Sequence, residues 1–164
     1  MLIQAKSDPG RIDDPTPASR QDRYNAHMWS SVLKAAPEVV ELMRCHVDRV
    51  FPEEACGLLA GEQGILVAVH PVTNVLHSKT RFRMDGPEQV RVLQAIEMAG
   101  LALVGIFHSH PEGPDDLSVT DVREMRYPDI AHLIWSRPEG DWTCRAFRMV
   151  DGQPGEIRLV IAEE

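Results

Sequence analysis

The stretch "LALVGIFHSHPEGPDDLSVTD" (101–121) decides how the rest of the chain is read. Leu101 to Phe107 form a continuous apolar run of strand length, the mark of a central strand covered on both faces. His108 and His110 follow at its carboxyl end, one residue apart. In extended backbone, residues i and i+2 point to the same side, so both imidazoles converge on one point. The carboxyl end of a buried strand is also where open α/β sheets place their ligands. Asp121 falls in the first turn of the next helix, which folds back over that strand end, and Ser118 lies three residues before it. Two imidazoles and one carboxylate leave a tetrahedral zinc with its fourth position open for water. Alone, "SVTD" is more often a cap, with Ser118 closing the helix start and Asp121 favouring its positive end. An isolated His-x-His is likewise ordinarily structural. The conjunction of the two, a seven-residue spacer apart and directly after an apolar strand, favours a metal. One helix terminus can serve both as cap and as ligand.

Outward from this stretch the chain alternates strands and helices. "GPEQVRVLQAIEMAG" (86–100) predicts an amphipathic helix with Pro87 at its start, Val90, Leu93 and Ile96 on one face, and Gly100 as its stop. Before it, "TRFRMD" (80–85) alternates and reads as a strand. "CGLLAG" (56–61) and "GILVAVHPV" (64–72) read as two strands joined by a turn at Gly61 to Gly64. In "PEVVELMRCHVDRVF" (37–51), Val39, Val40, Leu42, Met43, Val47 and Val50 recur at helical spacing. "WSSVLKAA" (29–36) supplies a first strand. After the quoted stretch a short helix runs to Tyr127, stopped by Pro128, and "AHLIWS", "WTCRAFRMV" and "EIRLVIA" predict three closing strands. The fold class is mixed α/β (α+β), with helices packed on a sheet. Residues 1–30, with Pro9, Pro15 and Pro17 among polar side chains, read as a flexible N-terminal leader, and 31–164 as one folded domain.

Composition narrows the function classes. The chain has 164 residues, 43% of them hydrophobic, and a formal charge of −8, which offers no basic footprint for nucleic acid or anionic lipid. No apolar run approaches the ~20 residues of a membrane helix, and no signal-peptide core is visible. Cys45, Cys56 and Cys144 are odd in number, widely spaced and free of any CxxC pair, which argues against a disulfide framework or a thiolate cage and for the cytoplasm. Cys56 reads as a small buried residue, and Trp135 and Trp142 as packing residues. Asp115, Asp116 and Glu53 read as solvated surface charges.

"HSHPEGPDDLSVTD" resembles the signature of the JAMM (MPN-plus) zinc metalloprotease family, H-[ST]-H-P-x6-S-x-x-D, and "EEACGLLAG" resembles the upstream element that carries the family's Glu. The resemblance covers about Pro37 to Val150. It implies a cytidine-deaminase-like mixed sheet flanked by helices, a Zn2+ cofactor held by His108, His110 and Asp121, Glu54 as the general base, and Ser118 as a donor to the oxyanion. It also implies a substrate: the amide after the C-terminal glycines of a ubiquitin-like or sulfur-carrier protein, from which a cysteine or another adduct is released. The short spacing between Glu54 and His108 resembles the compact prokaryotic members. A carrier tail is expected to add as a strand beside an exposed edge, with "TRFRMD" the chosen edge. Assembly into a homo-oligomer is compatible with all of this. The rivals are a metal-free MPN scaffold, a RadC-type domain and a zinc nucleoside deaminase. The scaffold lacks the ligand residues that are all filled here, RadC fits "EACGLLAG" less well, and the deaminase needs H-x-E and P-C-x-x-C, which are absent.

Overall fold

The computed structural model describes residues 31–162. The expected leader, 1–30, lies outside the described residues. The elements run β1 (Val32–Ala35), α1 (Pro37–Val50), β2 (Cys56–Glu62), β3 (Ile65–Val72), α2 (Gly86–Met98), β4 (Ala102–His110), α3 (Val119–Glu124), β5 (Ala131–Ser136), β6 (Thr143–Val150) and β7 (Gln153–Ile161). The mixed α/β class read from the sequence is borne out.

The strands are ordered β1-β3-β2-β4-β5-β6-β7 and the ring closes, because β1 pairs in parallel with β7 (Val32 opposite Arg158, Ala35 opposite Ile161). This closure is not visible in the sequence, which reads only as helices packed on a sheet. The central pair is antiparallel, with Cys56 opposite His108 and Leu58 opposite Ile106, and β5 lies parallel on the other side of β4.

Alternation sends successive residues of β2 and β4 into two separate apolar clusters. Leu59 and Phe107 join Leu33, Met43, Val47, Leu133 and others beneath α1. Leu58, Ala60 and Ile106 join Val72, Ile96 and Ile130 on the side of α2. The apolar run after Leu101 is therefore a strand covered on both faces, as read. Helix α1 opens on Pro37 and buries Val39, Met43, His46 and Val47, whereas Leu42 stays 56% exposed. Its inward stripe is narrower than the sequence suggested, and a histidine completes it. Helix α2 is capped by the Asp85 carboxylate, which accepts from the Glu88 amide, and ends at Gly100, whose φ of 74° suits glycine. Of its expected face only Ile96 is fully buried; Val90 is 54% exposed.

Two further expectations are corrected. "TRFRMD" is not a strand of the sheet: Met84 makes an isolated bridge to Asn74, and the Val75 amide donates to the Arg83 carbonyl. The backbone of this segment bonds instead to the residues just after β3, as where the Asp85 amide donates to the Thr73 carbonyl. Helix α3 stops at Glu124 rather than Tyr127, because Met125 turns to extended backbone (ψ 123°). Among the described residues no helix is long and apolar enough to cross a membrane.

Candidate active site

Strand β4 continues past Phe107 through His110, so both histidines lie within the strand. Because Ile106 belongs to the α2-side cluster, His108 and His110 extend the same face beyond the cluster's end. The two Nε2 atoms are 2.9 Å apart. Asp121 reaches them from α3, its Oδ1 3.4 Å from His108 Nε2 and its Oδ2 3.4 Å from His110 Nε2. The carboxylate is aimed by a capping box: Ser118 Oγ accepts from the Asp121 amide (3.1 Å) and Asp121 Oδ2 accepts from the Ser118 amide (2.7 Å). Cap and carboxylate site therefore coincide, as the sequence allowed.

His110 Nδ1 donates to the Pro114 carbonyl at 2.8 Å, which fixes its tautomer and leaves the Nε2 lone pair facing the cluster. The 111–117 loop passes close above this ring, since a Cβ on Gly113 would stand 3.0 Å from that of His110. One ligand atom from each of His108, His110 and Asp121 can be chosen so that all lie within 4.8 Å of one another. Two imidazole nitrogens and one carboxylate, held this close and largely out of water, are a donor set for a borderline divalent cation.

The electrostatics follow from burial and charge. Burial pulls His108 below its ordinary value despite the adjoining Asp121. Burial also pulls on His110, but Asp121, the Pro114 carbonyl and Glu54 outweigh it and raise the net value. For Asp121 burial is the largest single influence and acts upward, yet the adjoining His108 and His110 imidazoles together hold the carboxyl well below the usual range.

Glu54 arrives from the neighbouring strand. The β2–β4 pairing continues beyond Cys56, as the Ser109 amide donates to the Ala55 carbonyl (3.0 Å) and the Ala55 amide donates to Ser109 Oγ (2.8 Å). One step further, Glu54 comes level with His110. Its side chain is 4% exposed and lines the same cleft as His108, His110, Ser118 and Asp121. Burial pushes its pKa up to about 7, with His110 pulling downward and Asp121 adding a little upward. Glu53 points elsewhere, its carboxylate 3.1 Å from His77 Nδ1 at the surface, in line with the sequence reading.

The cleft has a volume of about 820 Å³. One wall is the 79–84 segment, where Phe82 stacks on His108 with ring centroids 4.4 Å apart. The other is the 112–114 turn together with the region around α3. Two exposed ion pairs span them, Lys79 to Glu112 (3.6 Å) and Arg81 to Glu124 (3.2 Å).

Several contributors were not legible in the motif. Ser109, the variable residue of H-x-H, is buried and stitches Ala55 to β4. Arg145 donates to the Asp115 carbonyl (3.1 Å) and pairs with the Asp115 and Glu156 carboxylates (3.2 and 2.8 Å), which fastens the loop over His110 to β6 and β7. Asp115 is therefore more than a solvated charge. His132, buried at the cleft, donates to the Tyr127 carbonyl (2.9 Å). Cys56 is structural as read: it is buried, donates to the Val72 carbonyl, and has a thiol pushed up to about 12 by burial. Trp135 lies in the core and Trp142 packs against its margin.

With this geometry in place, residues 36–150 match the family model Prok-JAB, the prokaryotic homologs of the JAB domain. The chain belongs to this family. Its JAB relatives include the CysO-cysteine peptidase of Mycobacterium tuberculosis (strain ATCC 25618 / H37Rv), 35% identical over 136 residues, covering 81% of this chain and 93% of that protein. The desampylase of Haloferax volcanii is 40% identical over 105 residues, covering 59% of this chain and 75% of that protein. Among solved structures, protein DSY2949 from Desulfitobacterium hafniense superposes with a TM-score of 0.72 at 29% identity, covering 80% of this chain and 94% of that one. The JAMM/MPN-plus resemblance read from "HSHPEGPDDLSVTD" is borne out as membership of the JAB family, whose members imply a bound metal.

Proposed function

We propose that this JAB-family chain is a zinc-dependent peptidase that hydrolyses the amide following the C-terminal Gly-Gly of a ubiquitin-like or sulfur-carrier protein, releasing a cysteine or another amine-linked adduct. The observation that carries this reading is the convergence of Glu54, His108, His110, Ser118 and Asp121 on one cleft. The names of the Mycobacterium and Haloferax relatives, a CysO-cysteine peptidase and a desampylase, support the substrate class.

His108, His110 and Asp121 would hold the zinc. When bound, zinc supplies a Lewis acid that polarises the scissile carbonyl and brings the pKa of water to about 7. Glu54 then takes a proton from the attacking water and returns it to the departing amine. Its burial serves both steps, because a carboxyl group tuned toward neutrality both accepts and gives up a proton near physiological pH. The Ser118 oxygen already accepts the Asp121 amide, so its hydroxyl proton remains free to donate to the developing oxyanion. The 79–84 segment is not a strand of the sheet that an incoming tail could extend. A slender glycine-ended tail instead runs between the 79–84 wall and the α3 wall, where the absence of a Cβ permits close approach to the donors. The three free cysteines are consistent with a reducing cytoplasm.

The test is incubation of the zinc-loaded protein with carriers extended beyond Gly-Gly, read by intact mass. Cleavage directly after the second glycine is expected, with one zinc per chain by elemental analysis. Asp121→Ala is expected to lose zinc and activity together, since three protein ligands become two. Full metal retention and turnover in that variant would remove Asp121 from the site, and intact carriers under every condition would sink the substrate reading.

A further inference from the structure

Outside the motif, one buried side chain ties the Glu54 backbone to the cleft wall. Asn74, 6% exposed just after β3, uses all four hydrogen-bonding positions of its amide on backbone groups. Nδ2 donates to the carbonyls of Glu54 (3.0 Å) and Arg81 (3.1 Å). Oδ1 accepts from the amides of Leu76 (3.1 Å) and Arg83 (3.0 Å). A flipped amide would set like groups against one another at all four contacts, so the partners fix its orientation.

Three of these bonds fold the local segment and one leaves it. The Oδ1 bond to Leu76 closes a turn, as asparagine commonly does by bonding backbone two residues on, and the bonds to Arg81 and Arg83 draw in the far side of the same segment. The Nδ2 bond to Glu54 reaches a residue twenty positions away, and the turn does not require it. Glu54 is also gripped from its other side, since its own amide donates to the Ser78 carbonyl at 2.8 Å. Both backbone groups of Glu54 are thus fastened to the segment that Asn74 folds. The same segment carries Phe82, stacked on His108.

We infer that Asn74 is a positioning residue for the hydrolysis: its Nδ2 clamp locks the Glu54 backbone to the cleft wall, so that one amide sets the place of the Glu54 carboxylate and the wall over His108 together. This rests on the reading of Glu54 as general base. Sequence reasoning passes over Asn74 because an asparagine after a strand signals an ordinary turn.

Asn74→Asp separates the two halves of the amide. An aspartate keeps the Oδ1 acceptor for Leu76 and Arg83 but turns both Nδ2 donations into oxygen facing oxygen. The expected result is a folded protein with wild-type zinc content, kcat down roughly 10- to 100-fold and KM changed far less, as for a displaced reacting group. Amide hydrogen exchange adds a readout independent of turnover: the Glu54 amide should exchange at least about tenfold faster in the variant, with or without zinc, because its acceptor Ser78 sits in the released segment. Asn74→Ala, which adds no charge, serves if the aspartate variant does not fold, with the same expectation. A folded, zinc-loaded variant with kcat within twofold of wild type overturns the inference, as does loss of activity only in proportion to lost zinc. If the wild-type protein cleaves no carrier, the functional reading fails by itself. Exchange then decides the clamp: unchanged protection at Glu54 overturns it, and faster exchange upholds it.

Discussion

Helix α1 sinks Val39, Met43, His46 and Val47 into the sheet, whereas α2 buries only Ile96 and leaves Val90 and Met98 in solvent. The same strands serve both sides: in β4, Phe107 enters the α1 cluster and Ile106 the α2 cluster. The α2 side stops being apolar two residues later, where His108 and His110 replace further hydrocarbon. The difference teaches how one strand divides its labour. Its α1 face is packed for stability, and its α2 face is left thinly covered so that polar groups can be buried without being filled over. A buried, imperfectly neutralised carboxylate such as Glu54 is the energetic mark of that second face.

If the two faces are separable in this way, substitutions on one should leave the other's property intact. The largest effect belongs to Glu54→Gln, which keeps size and a hydrogen-bonding oxygen but removes the base. Turnover of an accepted carrier fusion should fall by about 10²–10⁴-fold while zinc content is retained, measured on the same preparation. Turnover near the wild-type rate would return the base assignment to Glu53 or to a water-borne route.

On the opposite face, Met43→Ala removes a fully buried side chain and should cost about 2–5 kcal/mol in denaturant unfolding. The kcat of the fraction that remains folded should be unchanged. A matching fall in kcat would show that the faces are coupled.

Glu54→Gln also sharpens the comparison through stability. The carboxyl titrates near its ordinary value of 4.5 in the unfolded chain and at about 7 in the metal-free fold. The folded state therefore holds a proton that the unfolded chain has released. Whatever favours folding here is complete below pH 4.5 and is lost as pH rises through 7. At pH 8 the metal-free wild type should be up to about 3 kcal/mol less stable than Glu54→Gln, and at pH 4 the two should converge. Equal stability across that range would mean that Glu54 is not buried as an anion.

The smallest effect is the control on α2. Val90→Ala, at an exposed position, should change stability by no more than about 0.5 kcal/mol, against the inward role that helical spacing assigns to it.

What the sequence made legible is local. The apolar run, the i, i+2 histidines and the S-x-x-D cap depend on neighbours a few residues apart, and each took its expected place. Glu54 was found through its family resemblance, and the β2–β4 register supplies the physical reason for its position. What stayed hidden depends on distant partners. Asn74, Ser109 and Arg145 act through backbone groups 20, 54 and 30 residues away, and nothing in their immediate surroundings marks them. "TRFRMD" misleads because its alternation does not divide two faces of a sheet: Thr80, Arg81 and Arg83 line the cleft along with Phe82 and Met84. Val90 and Leu42 mislead because helical periodicity counts apolar residues without knowing how wide the covered stripe is.

The pairing of β1 with β7 has a consequence for synthesis. Val32 and Arg158 sit side by side in the finished ring, yet they leave the ribosome more than a hundred residues apart. At ordinary elongation speeds of about 5–20 residues per second, β1 waits roughly 6–25 s for its partner. Its other edge is occupied much sooner, by β3 at Ile65 and Leu66. The edge left open in the interval belongs to a strand of four residues, "VLKA", interrupted by a lysine. A strand that short and charged is a poor template for a neighbouring nascent chain. Replacing the exposed Lys34 with an apolar residue is expected to make the nascent chain more prone to aggregation, read as a smaller soluble fraction on expression.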